Sequence, residues 1–251
     1  MATEVATVPA NLPVPVLNYP HWRVNFRPEQ YEPELIPTLA ECLKAVEQCQ
    51  VRLRGWDFPT LINTQEEREF GENYVASWTA FMGEIEYWRF YQSGQFLHLH
   101  AIEEAVSADL RKQLEAAAKR NPLHSNVDSN QIGGFISLMS FYYRIIEIVE
   151  FATRLCQRGI YKDHLTITIE LKKIRNFVLT AEPSRLWFRL LHQCKQESLG
   201  HSWRFHSTEL VASSSQASLR IAKWFFERFG WLDPSDELLR REQENFLAGR
   251  L

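Results

Sequence analysis

Glu84, Glu86, Arg89, His98 and His100 fall within one short stretch, Met82 to His100, dense in aromatic residues. Carboxylates and imidazoles are common general acids and bases, and both bind divalent metals. His98 and His100 are two apart, as are Glu84 and Glu86. On a strand that spacing puts each pair on one face. The stretch reads as one strand, a tight turn at Ser93-Gly94 and a return strand. A two-residue loop there puts Arg89 opposite His98 and Tyr87 opposite His100. A three-residue loop puts Phe90 opposite His98 and Trp88 opposite His100, with the glutamates on the histidine face. A one-residue slip changes the answer. In the second register Glu84, Glu86, His98 and His100 could hold a divalent metal that activates water, as in a metal-dependent hydrolase or nuclease. No HExxH or other dedicated metal spacing accompanies them. The plainer expectation is a solvated sheet face with Glu–His and Glu–Arg pairs.

A second set is basic. Arg23 and Arg27 alternate with Trp22, Val24 and Phe26; Arg52 and Arg54 alternate in VRLRGW, which ends at Trp56. If those strands are neighbours, four guanidinium groups share a surface. Arginine forks suit phosphate, and exposed aromatics stack on bases. Arg23, Arg27, Arg52, Arg54, Trp56 and Arg89 are therefore the candidate ligand or phosphate contacts. The competing expectation is ion pairing with the hairpin glutamates, because the chain carries a net charge of −3. Ser207 lies near His201, His206 and Glu209 but has no nucleophile-elbow glycines, so no triad is read there. Gly133-Gly134 precedes a long helix without a P-loop lysine, and reads as a turn.

The positioning elements follow from periodicity. His21–Arg27 alternates as a half-buried strand. Leu35, Leu39, Leu43 and Val46 mark a helix over 34–48, and Val51–Trp56 a second strand. Thr64 and Glu67 make a capping-box pattern for a short helix ending near Gly71. Tyr74–Phe81 leads into the hairpin, and Ser107 caps a surface helix to about Arg120. Asn121–Gly134 reads as the main loop and a candidate subdivision point. Phe135–Arg158 is apolar on most sides, as a central helix is, with Gly159 as its stop. Leu165–Leu171 is a β-branched strand with Phe177–Thr180 as its hairpin partner; 184–196 is ambiguous. Ser202–Val211 reads as a strand and Ala217–Gly230 as an amphipathic helix. Hairpins outnumber βαβ units, so the expected class is α+β: an antiparallel sheet with a central buried helix and flanking helices.

At 251 residues, 45% hydrophobic and 24% charged, the composition is that of a globular protein with its own core. Residues 1–19 carry spaced prolines and read as an extended arm, 20–232 as the domain, and 233–251 as a charged, helix-prone tail. Cys42 and Cys49 are two helical turns apart, about 10 Å, too far to bridge. No zinc spacing exists among the four cysteines, which suits buried thiols in a reducing cytoplasm. No signal peptide is read, and no apolar run approaches the ~18 residues of a membrane helix.

At HWRVNFRP, VRLRGWDFP, FMGEIEYWRFYQSGQFLHL, FATRLCQRGIY and KWFFERFGW the chain resembles a family of uncharacterised bacterial proteins associated with Schlafen-type AlbA-2 DNA-binding regulators. The resemblance runs from about Pro20 to Trp231 and includes no AlbA-2 segment and no catalytic motif. It implies a bacterial intracellular setting, regulatory or defence-related. The expectation is a non-catalytic binding module without a cofactor, contacting a protein partner, a second copy or nucleic acid. The alternative is the divalent-metal hydrolase described above.

Overall fold

A computed structural model describes residues 15–61, 68–81, 84–120, 129–181 and 191–250. The chain is α+β. Its centre is a seven-stranded antiparallel sheet. The strands are β1 (His21–Pro28), β4 (Arg68–Phe70), β5 (Tyr74–Phe81), β6 (Glu84–Tyr91), β7 (Phe96–Ala101), β9 (His164–Lys172) and β12 (Ser198–His206). Their order is β12-β9-β1-β7-β6-β5-β4. A two-stranded unit pairs β2 (Val51–Arg52) with β3 (Asp57–Phe58). A three-stranded one joins β8 (Gly134–Ser137), β10 (Phe177–Thr180) and β11 (His192–Gln193).

Alternation decides the faces of the sheet. Trp22, Val24 and Phe26 stand opposite His100, His98 and Phe96, so all six share the inner face. Helix α4 (Leu138–Gln157) lies on that face. Its Phe141 packs on Trp22 with ring centroids 4.7 Å apart, and Phe151 on Phe96 at 4.9 Å. Helix α5 (Ser207–Arg228) covers α4 with Phe225 and Phe226, and α1 (Leu39–Cys49) buries Cys42, Val46 and Cys49 in the same core. Helices α2 (Glu103–Val106) and α3 (Ala108–Arg120) follow β7. On the outer face Val16, in a short 3-10 turn, packs with Tyr87 and Leu99.

Several boundaries differ from the expectation for local reasons. Helix α1 starts at Leu39, because the Thr38 hydroxyl accepts from the Glu41 amide and caps it there. The stretch 51–56 leaves the strand after Arg52, and Gly55 turns it with φ +82°. Thr64 and Glu67 lie outside the described residues, as do 1–14, 121–128 and 184–190; beyond Glu67, residues 68–70 are strand rather than helix. Phe135 and Ile136 belong to β8, since the capping Ser137 starts α4 only at Leu138. Strand β10 pairs with β8 and β11, not with β9. Ser207–Val211 opens α5 instead of extending β12; the His206 ring nitrogen accepts from the Thr208 amide at the helix start. Residues 236–247, expected as part of a tail, form helix α6 (Asp236–Leu247), whose Leu239 and Phe246 enter the core.

Candidate functional site

The β6–β7 turn sets the site. Gly94 sits at φ +78°, its amide donates to the Tyr91 carbonyl, and the Tyr91 amide donates to the Gln95 carbonyl. That is a three-residue loop with glycine in the left-handed position. The resulting register puts Trp88 opposite His98 and Glu86 opposite His100. Neither anticipated set of partners is found. The face assignment is that of the three-residue reading, slipped by two residues, which keeps every side chain on its face. Glu84, Glu86, His98 and His100 therefore meet on the inner face.

They are not solvated. His98 is fully buried, and Glu86 and His100 nearly so. His98 Nε2 donates to Glu86 Oε1 over 2.7 Å, and His100 Nε2 lies 2.5 Å from Glu84 Oε2. Each contact runs diagonally across the strand pair. The two imidazoles stack 6.1 Å apart and almost parallel. The loop after β3 closes one side: Phe58 packs on His98 at 4.7 Å, the Thr60 amide donates to Glu86 Oε1, and Trp88 Nε1 donates to the Thr60 carbonyl.

Helix α4 closes the other side with two residues the sequence reading passed over, Arg144 and Glu147. Glu147 accepts a bidentate pair from Arg54 at 2.9 and 2.8 Å and a third contact from Arg144 at 3.2 Å. Arg144 Nη2 also lies 3.2 Å from His100 Nε2. One ring nitrogen cannot donate to Glu84 and accept from Arg144 at once, so the two neighbours compete for opposite tautomers of His100. Their only sequence signal was charge interrupting an otherwise apolar helix.

The charge states follow from these contacts. Burial alone would raise the carboxyl of Glu86. The hydrogen bond from His98, with the charge of Arg144 nearby, outweighs it and holds Glu86 at about 2. For Glu84, burial is likewise outweighed by His100, Arg144 and Arg54, and its pKa is again about 2. Burial lowers His98, which favours the neutral ring donating through Nε2. Glu104, buried on α2 with Oε1 accepting from the Ser137 amide, is pushed up to about 7 by burial.

Between these elements lies a cavity of about 200 Å³. Five carboxylates line it, from Asp57, Glu84, Glu86, Glu103 and Glu147, against the two guanidinium groups of Arg54 and Arg144. Trp56 stands at its rim, 44% exposed. Glu84 and Glu86 each spend one oxygen on a histidine; the other takes no protein hydrogen bond among the described residues. A smaller cavity of about 20 Å³ adjoins it, sharing Arg54, Glu103 and Arg144 and adding His100 and Glu104.

The six anticipated ligand contacts do not form one surface. Strand β1 pairs with β7 and β9, while β2 pairs only with β3, so the two arginine strands are not neighbours. Arg23, Arg27 and Arg89 lie on the outer face of the large sheet. There Arg23 pairs with Glu170 at 3.0 Å, Arg27 stands opposite Thr166, and Arg89 lies 3.8 Å over the Tyr74 ring. Arg52 is exposed beside Asp57. Of the six, Arg54 and Trp56 line the cavity that Glu84 and Glu86 also line. As for the metal expectation, the Nε2 atoms of both histidines are committed to Glu84 and Glu86. Among the described residues no group of three or more His, Cys, Asp or Glu side chains is arranged to hold a metal ion. All four cysteines are free and buried.

No family model, no curated protein and no solved structure matches the chain. No helix among the described residues is long and apolar enough to cross a membrane.

Proposed function

We propose that the chain is a binding module and that its ligand group is an organic cation, an amine or guanidine, taken into the cavity beside Trp56. The carrying observation is the excess of carboxyl groups over guanidinium groups lining the cavity, five to two, with the pKa values of Glu84 and Glu86 held low. Both arginines there are already paired with Glu147, whose single charge offsets one of their two, so the other four carboxylates still outnumber the remaining guanidinium charge. Among the described residues, Glu84 and Glu86 each keep one acceptor oxygen without a protein donor. An ammonium or guanidinium supplies the missing donors and charge, and a rim indole such as Trp56 is suited to stack on the same cation. At about 200 Å³ the cavity is below the ~300 Å³ where drug-sized pockets begin, and suits one long basic side chain or a small amine. A protein partner presenting a lysine or arginine fits this reading better than nucleic acid, whose phosphates would meet carboxylates.

The four buried thiols fit the proposed cytoplasmic setting. The regulatory or defence role rests on the family resemblance alone. Calorimetric titration with agmatine, arginine methyl ester and spermidine tests the ligand class. At least one should bind, and Glu103→Gln and Trp56→Ala should each weaken it several-fold. Binding of phosphate or acetate with no response to the three cations would overturn the proposal.

The metal-hydrolase reading keeps one support, the shared face of Glu84, Glu86, His98 and His100. Zinc or manganese titration of the chelator-treated protein tests it. Metal binding lost in His98→Ala would favour it, and no binding would remove it.

A further inference from the structure

Strand β12 is the end strand of the large sheet and runs for nine residues. Among the described residues, no strand or loop backbone bonds to its outer side. The opposite end strand, β4, has three residues among those described. Long open edges are normally blunted by proline, lysine, a bulge or an inward charge. Strand β12, SLGHSWRFH, has no proline and no lysine. It pairs with β9 in unbroken register over all nine residues, so it has no bulge. Its inward-facing side chains, Leu199, His201, Trp203 and Phe205, include no carboxylate, lysine or arginine. Gly200, His201 and Ser202 are exposed at its middle.

We propose that a second copy of the chain pairs with this edge, antiparallel and about a two-fold axis at Ser202. Such an interface is isologous, so the strand must complement its own reverse. It does. With Ser202 facing itself, His201 faces the second copy's Trp203, and Leu199 faces the second copy's Phe205. On the inner face the new pairs are therefore apolar or aromatic, which favours cross-strand pairing. His201 already stacks on Trp224 at 5.0 Å and meets Trp203 edge-on at 4.8 Å, so the aromatic layer reaches the edge it would continue across.

On the outer face, Gly200 faces the second copy's Arg204. Glu170, on the neighbouring strand, lies across Gly200: a Cβ there would stand 2.8 Å from Glu170 Cγ and 3.5 Å from its Oε1. The missing side chain lets Glu170 lie over Gly200, paired with Arg23 and Lys172, so that an arginine arriving at the edge would join an existing cluster. Arg204 and its own partner, Glu29, are both exposed, so the arginine is available to shift. No like charges oppose one another in this register. The same two-fold repeats every contact and joins the sheets of the two copies into one.

The test uses light scattering and sedimentation of the whole chain across micromolar concentrations. The wild type should dimerise. Ser202→Lys and Ser202→Glu each place like charges face to face and should weaken self-association about five-fold. An equimolar mixture of the two variants should recover it, because Lys then faces Glu. Ser202→Cys gives a second reading that does not depend on charge. Facing residues in an antiparallel pair lie about 4.5–5.5 Å apart at Cα, within disulfide range, so the variant should form a covalent dimer on oxidation. The buried native cysteines give no background. A monomeric wild type, or a dimer indifferent to Ser202→Lys with no cross-link in Ser202→Cys, overturns the proposal.

Discussion

Replacing Glu147 by leucine should unfold the chain far more easily than any single contact suggests. Glu147 is 1% exposed and is the common partner of Arg54 and Arg144, whose side chains are 19% and 11% exposed. The leucine variant leaves two guanidinium groups in a mostly desolvated site with no carboxylate between them. Breaking a buried pair in this way costs about 3–5 kcal/mol, because the stranded charge keeps its desolvation penalty. Arg54 retains some access through the cavity, which places the expected loss near the lower end, about 3 kcal/mol. For a chain of this size that is a fall in melting temperature of roughly 6–12 °C.

The decisive comparison is with the triple variant Arg54→Met, Arg144→Met, Glu147→Leu. Apolar replacement of a whole buried ion cluster is often neutral or stabilising. The triple variant should therefore be within about 1–2 kcal/mol of wild type in urea titrations at pH 7, while Glu147→Leu alone is not. Circular dichroism and tryptophan fluorescence, read on the same samples, check that both transitions are two-state. A Glu147→Leu loss below about 1 kcal/mol, the range of exposed pairs, would show the cluster to be solvated and refute the reasoning. A triple variant as unstable as the single would show that the charges hold the fold together rather than burdening it.

Glu104→Gln should be more stable than wild type at pH 8 and equal to it near pH 4. The folded carboxyl is raised from 4.5 to about 7, so its contribution is present below pH 4.5 and is lost as pH rises through 7. The difference should approach 3 kcal/mol by melting at a series of pH values, because Gln still accepts from the Ser137 amide. Glu84 and Glu86 work in the opposite sense. Their folded values, about 2 against 4.5, give stability that is complete above pH 4.5 and lost toward pH 2. The double variant Glu84→Gln, Glu86→Gln should therefore show a shallower acid limb, measured by fluorescence. Gly94→Ala should lose more than about 1 kcal/mol, since the left-handed backbone is strained for alanine and its Cβ would sit 2.9 Å from Leu35 Cδ2. The native protein should not react with a thiol reagent over minutes, because burial raises Cys42 to about 12 and Cys49 to about 11.

The fold was legible where periodicity was local. The alternation of HWRVNFR named its element and its buried face; the apolar run over 135–158 named a central helix, which begins at Leu138, and the β-branched LTITIEL named a strand. What failed was pairing between distant segments, which local patterns do not encode. Phe177–Thr180 follows β9 closely, yet its backbone is paired by β8 and β11. Arg52 and Arg54 alternate as strand residues do, but Gly55 turns the chain and carries Arg54 to α4 instead of to β1. The Glu–His constellation was visible because its four members lie on one hairpin. Its other half was hidden because Arg144 and Glu147 come from a helix far along the chain. There they resemble any solvated pair three residues apart.

The placement of the charges argues for their use. Elsewhere on the inner face the sheet is filled by Val24, Phe26, Phe90, Ile167 and Ile169, all buried and apolar. Leucine or phenylalanine at positions 84, 86, 98 and 100 would extend that layer without desolvating a single charge. The chain instead carries two carboxylates held ionised, two imidazoles and two arginines. It places them where the β2–β3 loop and α4 leave a cavity open past Trp56. A cluster meant only to fix the register of β6 and β7 would need the Glu–His pairs but not Arg54, Glu103 or the space between them. A cluster meant to receive a charged group needs all of them: acceptors left over after internal pairing, countercharges to keep them ionised, and an aromatic at the entrance.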